Sequence, residues 1–344
     1  MVVRAVWIAI AAAGAACGGT YGGVAPGPKA AAGARPRGVE AAALPYHVLD
    51  RTGHQLDEAA FWAKLATVRV ACVGEEHTNP HHHWVQLQVV QHLVKAWPHI
   101  ALGMEMFQRP FQGVLDDFAA RKIDEDALRS RAGWNERWGY DFGNYRPTIA
   151  AVVAAHGALV ALNAPKELTH KVAHHGLESL SPDERAQVPE LDLKVAAHRA
   201  WFDALMEDLG GTDVHSKAAP PKDVDTKQPA EKSPDKPPDE AMPTADNIYT
   251  VQVIWDETMA DTAAKFLAAH PDARMVILAG NGHCHDTAIV DRLKRRGIKD
   301  VVSIRPVIDD GQDAVAEVLA KPMHDFIVVL DLPPDVKAQM QSAR

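Results

Sequence analysis

Two stretches with the pattern Gly-x-x-His carry the side chains best suited to chemistry. Residues 74–77 are Gly-Glu-Glu-His and residues 280–283 are Gly-Asn-Gly-His, and each stretch follows a short apolar run. Glu105 stands at the end of a third such run. Imidazole and carboxylate groups bind first-row metals, and they also transfer protons as general acids and bases. We therefore expect His77, Glu105 and His283 to form one polar site.

This predicted site supports two kinds of hydrolytic chemistry. In the first, a divalent metal polarises a bound water, and its ligands are Glu75, His77, Glu105 and His283. In the second, His77 acts as a general base that Glu105 orients. A simpler alternative is that the carboxylates only cap the helix that begins near Pro80. Asn79 is a sufficient cap by itself, so this alternative does not require them.

A run of three histidines, residues 81–83, follows the first motif. Consecutive residues on a helix point in different directions, so at most two of the three can face the site. His82 is the candidate that we place with His77 and His283 in the wall of a cofactor pocket. The alternative is that all three histidines are solvated at the start of a helix.

An aromatic stretch, "WNERWGYDFGNYRPTI", covers residues 134–149. Trp134 and Trp138 are one helical turn apart, a spacing that favours a place in the core. Tyrosine phenolates ligate ferric haem in some proteins. Tyr140 and Tyr145 are therefore candidate axial haem ligands, and the sequence leaves the choice between them open.

Short apolar runs separated by helical patterns indicate the elements that position these residues. Apolar runs without alternation are typical of strands that are buried on both faces, as in parallel sheets. We therefore predict an α/β fold with a mostly parallel central sheet, helices on both faces and a helical subdomain at about 111–145. The polar stretches then lie at the edge where such sheets bind ligands. The predicted strands are 68–74, 99–105, 158–165, 274–280, 300–306 and 325–332.

The N-terminus predicts export. Arg4 is followed by an uncharged run, residues 5–16, that is too short to span a bilayer and is typical of a signal peptide. The last three residues of the run and the cysteine that follows read Gly-Ala-Ala-Cys. This is the pattern of a bacterial lipoprotein signal, so Cys17 is the predicted lipidation site. Simple secretion is the alternative. We expect a signal peptide at 1–16, a tether at 17–43, and lipid anchoring at a bacterial membrane, on the periplasmic or outer-membrane side.

Composition limits the remaining functions. The formal charge of −9 argues against nucleic-acid binding, which needs a basic surface. Cys72 lies in an apolar run and is expected to be a buried thiol, although an exported protein can also form a disulfide between Cys72 and Cys284. Residues 211–247 are rich in Pro, Lys and Asp and predict a disordered insert. That insert interrupts a single domain expected at 44–344.

These motifs resemble the ChaN-like haem-binding lipoproteins of the haem-binding uptake Tiki superfamily. The resemblance extends from about residue 65 to 300, outside the insert. Its motifs are "VGEEHTNPHHHWVQLQ", "LGMEMFQRPFQ", "WGYDFGNYRPTIAAVVAAHGALVALNAP", "WDETMA" and "ILAGNGH".

The resemblance implies a membrane-anchored lipoprotein that binds haem for haem or iron uptake. It also implies a tyrosine ligand and a pair of haems held between two subunits, hence a homodimer. The wider superfamily is similar to Tiki-type metalloproteases and to erythromycin-esterase-like hydrolases, in which histidine and glutamate activate water. His77, Glu105 and His283 match their positions, so a hydrolase is the alternative function.

Overall fold

The structure is a computed structural model that describes residues 38–208 and 243–342. Contacts divide these residues into two compact units, one formed by residues 38–166 and 255–342 and the other by 167–208 and 243–254. The predicted signal peptide, Cys17 and most of the predicted insert lie outside the described residues. Within them, no helix is both long and apolar enough to cross a membrane.

The larger unit contains an eight-stranded sheet in the order β2-β1-β8-β7-β3-β6-β4-β5. Strand β1 is antiparallel to its neighbours, and the other pairings are parallel. This confirms the predicted fold class. The strands are β1 (Tyr46–Asp50), β2 (Gln55–Leu56), β3 (Val70–Val73), β4 (Ile100–Gln108), β5 (Ala158–Asn163), β6 (Arg274–Leu278), β7 (Val301–Asp309) and β8 (Phe326–Asp331).

Thirteen α-helices occur in the described residues. They are α1 (Glu58–Thr67), α2 (Pro80–Ala96), α3 (Gln112–Ala119), α4 (Glu125–Arg131), α5 (Trp134–Arg137), α6 (Arg146–Ala154), α7 (Lys166–His175), α8 (Pro182–Arg185), α9 (Ala196–Asp208), α10 (Ala245–Ala269), α11 (Ile289–Arg295), α12 (Ala314–Ala320) and α13 (Pro334–Ser342). Short 3-10 helices cover Val39–Ala42, Arg109–Phe111, Phe142–Asn144 and Leu177–Ser179.

The six predicted strands are β3 to β8, and the hairpin of β1 and β2 was not predicted. Its strands mix polar and apolar residues, and only Val48 and Leu49 are buried, so they form no apolar run. Strand β4 runs to Gln108, which places Glu105 inside the strand and not beyond its end. The pairing of β4 with β5 is irregular between Met104 and Gln108.

Alternate residues of the central strands pack in two different apolar cores. Ala71 and Val73 point to the face covered by α2 and α6, whereas Val70 and Cys72 point to the face covered by α11 and the second half of α10. This alternation follows from the pleat of a strand. Because both faces are covered, the strand residues are fully buried, which is why they are apolar without a period of two.

Cys72 and Cys284 form a disulfide with a sulfur–sulfur distance of 2.00 Å. The expectation that Cys72 is a free thiol was therefore wrong. Strand β3 pairs directly with β6, and the turn after β6 brings residue 284 back to Cys72. The disulfide therefore fixes this turn, with His283 on one side of Cys284 and His285 on the other.

The C-terminal ends of the predicted tether and of the predicted insert lie among the described residues. Val39 and Ala42 are buried, so the folded part begins before the predicted start at residue 44. Helix α10 begins at Ala245, within the last residues of the predicted insert. The smaller unit has its own apolar core, which includes Phe202, Tyr249 and Val253.

Candidate functional site

The turns that follow β3 and β6 pack directly against each other. A β-carbon on Gly74 would come within 2.2 Å of the Asn281 side-chain oxygen, and one on Gly280 would come within 3.1 Å of the His77 ring. The Asn281 amide donates a hydrogen bond of 2.9 Å to the Glu75 carbonyl. Glycine at both positions therefore permits the close approach that brings the two Gly-x-x-His motifs together.

Glu75 is the buried carboxylate of the first motif, and it is 2% exposed. Its Oε1 lies 2.7 Å from Nδ1 of His77 and accepts a hydrogen bond of 2.7 Å from the Tyr145 hydroxyl. Its Oε2 lies 3.2 Å from Nδ1 of His83. The neighbouring Glu76 is half-buried, so Glu75 is the carboxylate that faces the site.

Charge pairing controls the protonation of Glu75 and His77. Burial works to raise the pKa of Glu75, but the charges of His83 and His77 outweigh it and lower this pKa to about 2. Burial works to lower the pKa of His77, but the hydrogen bond and charge of Glu75 leave it above its ordinary value. The interaction between the two residues therefore favours the ionised pair.

Glu105 and His283 extend the site from β4 and from the turn after β6. Oε2 of Glu105 accepts a hydrogen bond of 2.7 Å from the Gly280 amide, and Oε1 lies 3.4 Å from Nε2 of His283. The other ring nitrogen of His283, Nδ1, lies 2.7 Å from Asp256 on α10. Burial works to lower the pKa of His283, but the charges of Glu105 and Asp256 leave it raised.

Asp256 is itself held by a buried arginine. The Arg292 guanidinium lies 3.7 Å from Asp256 and 3.3 Å from Glu257, and all three residues are fully buried. Buried charges persist only when they are paired, so this network fixes the Asp256 carboxylate that orients the His283 ring. The arrangement as a whole is termed the carboxylate–histidine cluster, and its members are Glu75, His77, His83, Glu105, Asp256 and His283.

Tyr140 and Tyr145 both contact this cluster but differ in access. The half-buried Tyr140 ring lies 4.8 Å from the His77 ring and 5.4 Å from that of Trp138, between centroids. Among the described residues, no group forms a hydrogen bond with the Tyr140 hydroxyl. Tyr145 is 1% exposed, and its hydroxyl accepts a bond of 3.1 Å from Trp138 Nε1 in addition to donating to Glu75. Tyr140 is therefore accessible to a ligand, and Tyr145 supports the cluster from inside.

The structure places His83, and not the predicted His82, in contact with Glu75. These neighbours on α2 point in different directions, as expected for consecutive helical residues. Nδ1 of His82 accepts a hydrogen bond of 3.0 Å from the Glu76 amide. Asn79 caps the helix through the His81 amide, so the carboxylates are not needed as caps.

The structure brings His77, Glu105 and His283 together as predicted but does not arrange them as metal ligands. Within the described ranges, no group of three or more His, Cys, Asp or Glu side chains is placed to hold a metal ion. The predicted metal set that also included Glu75 is thus unsupported.

Sequence reasoning assigned no role to Asp256 or Arg292. Asp256 lies in "WDETMA" and is distant in sequence from both Gly-x-x-His motifs, so spacing alone could not connect it to His283. Arg292 lies in the charged stretch "DRLKRRG", which resembles a solvated helix face. For Asp256, the available signal was a pair of acidic residues in "WDETMA", within a helix whose other residues are largely apolar.

A family model described as "Haem-binding uptake, Tiki superfamily, ChaN" matches residues 61–293. This range includes every member of the carboxylate–histidine cluster. No curated protein matches the sequence.

Three solved structures are similar. A structure titled "Cofacial heme binding to ChaN of Campylobacter jejuni" has 14% identity and a TM-score of 0.58, covering 83% of this chain and 96% of that chain. An erythromycin esterase mutant, EreC, in its open conformation has 12% identity and a TM-score of 0.40, covering 77% of each chain. The type III effector HopBA1 has 9% identity and a TM-score of 0.39, covering 79% of this chain and 90% of that chain. At 14% identity, the similarity to the first of these structures shows a shared fold and nothing more.

Proposed function

This chain belongs to the ChaN family of haem-binding uptake proteins of the Tiki superfamily, and from that premise we propose that it is a membrane-anchored lipoprotein that binds haem for haem or iron uptake. The observation that carries the proposal is the Tyr140 phenol, which is accessible and adjoins a buried set of charged groups inside the matched range.

Tyr140 is the proposed axial ligand. A haem iron needs a phenolate oxygen that it can approach. Tyr140 is half-buried as a residue, and its hydroxyl has no competing hydrogen bond among the described residues. Tyr145 would first have to give up its hydrogen bonds to Glu75 and Trp138. We therefore assign Tyr145 to holding Glu75 and the Trp138 ring in position.

The other residues fit the remaining chemistry of a haem. The rings of Trp138 and His77 flank Tyr140 and offer apolar and aromatic surface. When bound, haem would supply the ferric iron that accepts the phenolate.

The protein holds Tyr140 as a neutral phenol. Burial first, and then the charges of Glu105 and Glu75, raise the pKa of Tyr140 above its ordinary value of 10.0. Binding as a phenolate must therefore release the phenol proton. We expect haem affinity to strengthen by about tenfold for each pH unit where this proton alone is exchanged, measured as the slope of log Kd against pH. A flat profile would contradict phenolate ligation.

A haemin titration followed by visible spectroscopy tests the proposal. We expect the wild-type protein to give a saturating Soret shift with a phenolate charge-transfer band. Tyr140→Phe should abolish that band, whereas the matched control Tyr145→Phe should retain it. No Soret shift in the wild type would overturn haem binding, and loss of the band only in Tyr145→Phe would reverse the ligand assignment.

Lipid anchoring and dimerisation are further parts of the proposal. The support for anchoring is the sequence Gly-Ala-Ala-Cys that ends at Cys17. In a bacterial host, Cys17→Ser should move the protein from the membrane fraction to the soluble exported fraction. A haem pair shared by two subunits predicts a dimer with one haem per chain, which sedimentation of the haem-loaded protein can measure.

A hydrolase is the second candidate function, and a specific arrangement favours it. His77 and His283 each direct Nδ1 at a buried carboxylate, and Glu105 contacts Gly280 between them. Histidines oriented in this way are suited to general acid–base catalysis. A survey of ester and peptide substrates tests this function: a rate that is unchanged in His77→Ala would rule it out.

A further inference from the structure

A second group of basic side chains lies on the opposite side of β3 from Glu105. We call it the arginine–histidine cluster, and its members are His82, His285, Arg305 and His324. The three histidines are at most 3% exposed, and Arg305 is half-buried on β7. The proposed haem site uses none of these four side chains.

The fold holds these four residues together through backbone contacts. The Gly74 amide donates a bond of 2.9 Å to the Ile304 carbonyl, which brings the turn before His82 next to β7. The Asp286 amide donates a bond of 2.9 Å to the Met323 carbonyl, which joins the segments that carry His285 and His324. The rings of these two histidines lie 6.2 Å apart, between centroids.

The charge of Arg305 is not neutralised by a direct ion pair within the described part of the chain. Its Nε is buried without a hydrogen-bond partner. Burial lowers the pKa of Arg305, and the charges of Glu76 and Glu317 oppose this only from a distance. A partly buried cation whose Nε has no hydrogen-bond partner is favourably placed to bind an anion.

The histidines of this cluster are suited to donate hydrogen bonds as neutral rings. His82 accepts from the Glu76 amide at Nδ1, so its neutral form carries the proton on Nε2. Both ring nitrogens of His324 are buried without a hydrogen-bond partner. Burial, followed by the charge of Arg305, lowers the pKa of His324 well below its ordinary value.

We propose that the arginine–histidine cluster binds a small oxyanion of the carboxylate or phosphate class, with Arg305 supplying the charge and the histidines supplying N–H donors. A guanidinium group matches the geometry of such oxyanions and forms charge-assisted hydrogen bonds with them. The same guanidinium repels cations, which argues against a metal at these histidines. The proposal is independent of haem binding, because it uses different side chains.

Isothermal titration of the purified protein with inorganic phosphate, and separately with formate, tests this site. We expect saturable binding of one equivalent of at least one anion in a low-chloride buffer. Arg305→Gln should weaken that binding by about 10- to 100-fold, the usual effect of losing hydrogen bonds to a charged group. His324→Gln should weaken it as well, and the haemin titration should not change in either variant.

Arg199→Gln is the control, because Arg199 lies in the smaller unit and already pairs with Asp203 at 2.7 Å. Its anion affinity should stay within about twofold of the wild type. The relative affinities of phosphate and formate identify the class of oxyanion. No binding of either anion by the wild type would overturn the proposal, as would wild-type affinity in a folded Arg305→Gln protein. If Arg305→Gln does not fold, wild-type affinity in folded His324→Gln would overturn it.

Discussion

Two histidine-rich clusters lie at neighbouring positions along one sheet. The charges that surround their histidines have opposite signs. In the carboxylate–histidine cluster, His77 and His283 each face a buried carboxylate, and their pKa values are raised. In the arginine–histidine cluster, burial lowers the pKa values of His82 and His324, to about 3 for His82. The charges of His83 and Arg305 add to this effect for His82, and the charge of Arg305 adds to it for His324.

The chain divides adjacent residues between these clusters. His82 and His83 are consecutive on α2 but belong to different clusters, and so do His283 and His285 on either side of Cys284. Residue type alone therefore does not determine the function of a histidine. The partner on the next element determines whether the ring is a cation or a neutral donor.

The largest expected effect comes from removing the charge of Glu75. Glu75→Gln keeps the shape of the side chain but leaves His77 and His83 without their buried counter-charge. We expect the free energy of unfolding to fall by about 3–5 kcal/mol, measured by urea denaturation at pH 7. The half-buried neighbour provides the control: Glu76→Gln should cost less than about 1 kcal/mol.

The same carboxylate gives a pH dependence with a definite sign. The pKa of Glu75 is about 2 in the folded protein and 4.5 ordinarily, so its stabilising contribution is fully present above pH 4.5. That contribution is lost as the pH falls from 4.5 towards 2. Urea midpoints of the wild type should therefore fall more steeply in this range than those of Glu75→Gln. Parallel curves would contradict the ion pairing.

The disulfide that joins β3 to the turn between the clusters should have the next largest effect. Replacing Cys72 and Cys284 together by alanine should lower the free energy of unfolding by about 2–5 kcal/mol. Because the bond fixes the position of His283, haem affinity and anion affinity should both weaken. If either affinity were unchanged, the disulfide would not be what holds that cluster in place.

Arg305→Gln should give the smallest change in stability. Arg305 has no direct ion pair to lose among the described residues, and its burial is unfavourable. We expect the free energy of unfolding in anion-free buffer to change by less than about 1 kcal/mol. A loss as large as that of Glu75→Gln would show that the two clusters are not electrostatically different.

Local patterns in the sequence were sufficient to predict six of the eight strands and part of the first cluster. Uninterrupted apolar runs indicated β3 to β8, and the glycines of the two motifs indicated sharp turns at one edge. His77, Glu105 and His283 were therefore expected together. The hairpin β1–β2 was not predicted, because its half-buried strands contain polar residues.

The partners of those residues depend on long-range packing that spacing does not encode. Asp256 and His283 meet only because α10 covers the sheet face beside β6. The directions of His82 and His83 depend on the rotation of α2, which changes by about 100° with each residue. Arg305 and His324 have no motif at all, so only the register of β7 with β3 and β8 brings them to the second cluster.

A proton NMR titration of the histidine rings, assigned with single His→Gln variants, tests the central claim most directly. The opposed electrostatics predict that His77 and His283 titrate above the ordinary pKa of 6.5. They also predict that His82 stays neutral down to about pH 3 and that His324 titrates well below 6.5. If all four rings titrated together near 6.5, the two clusters would not differ, and the basis of both proposed sites would be lost.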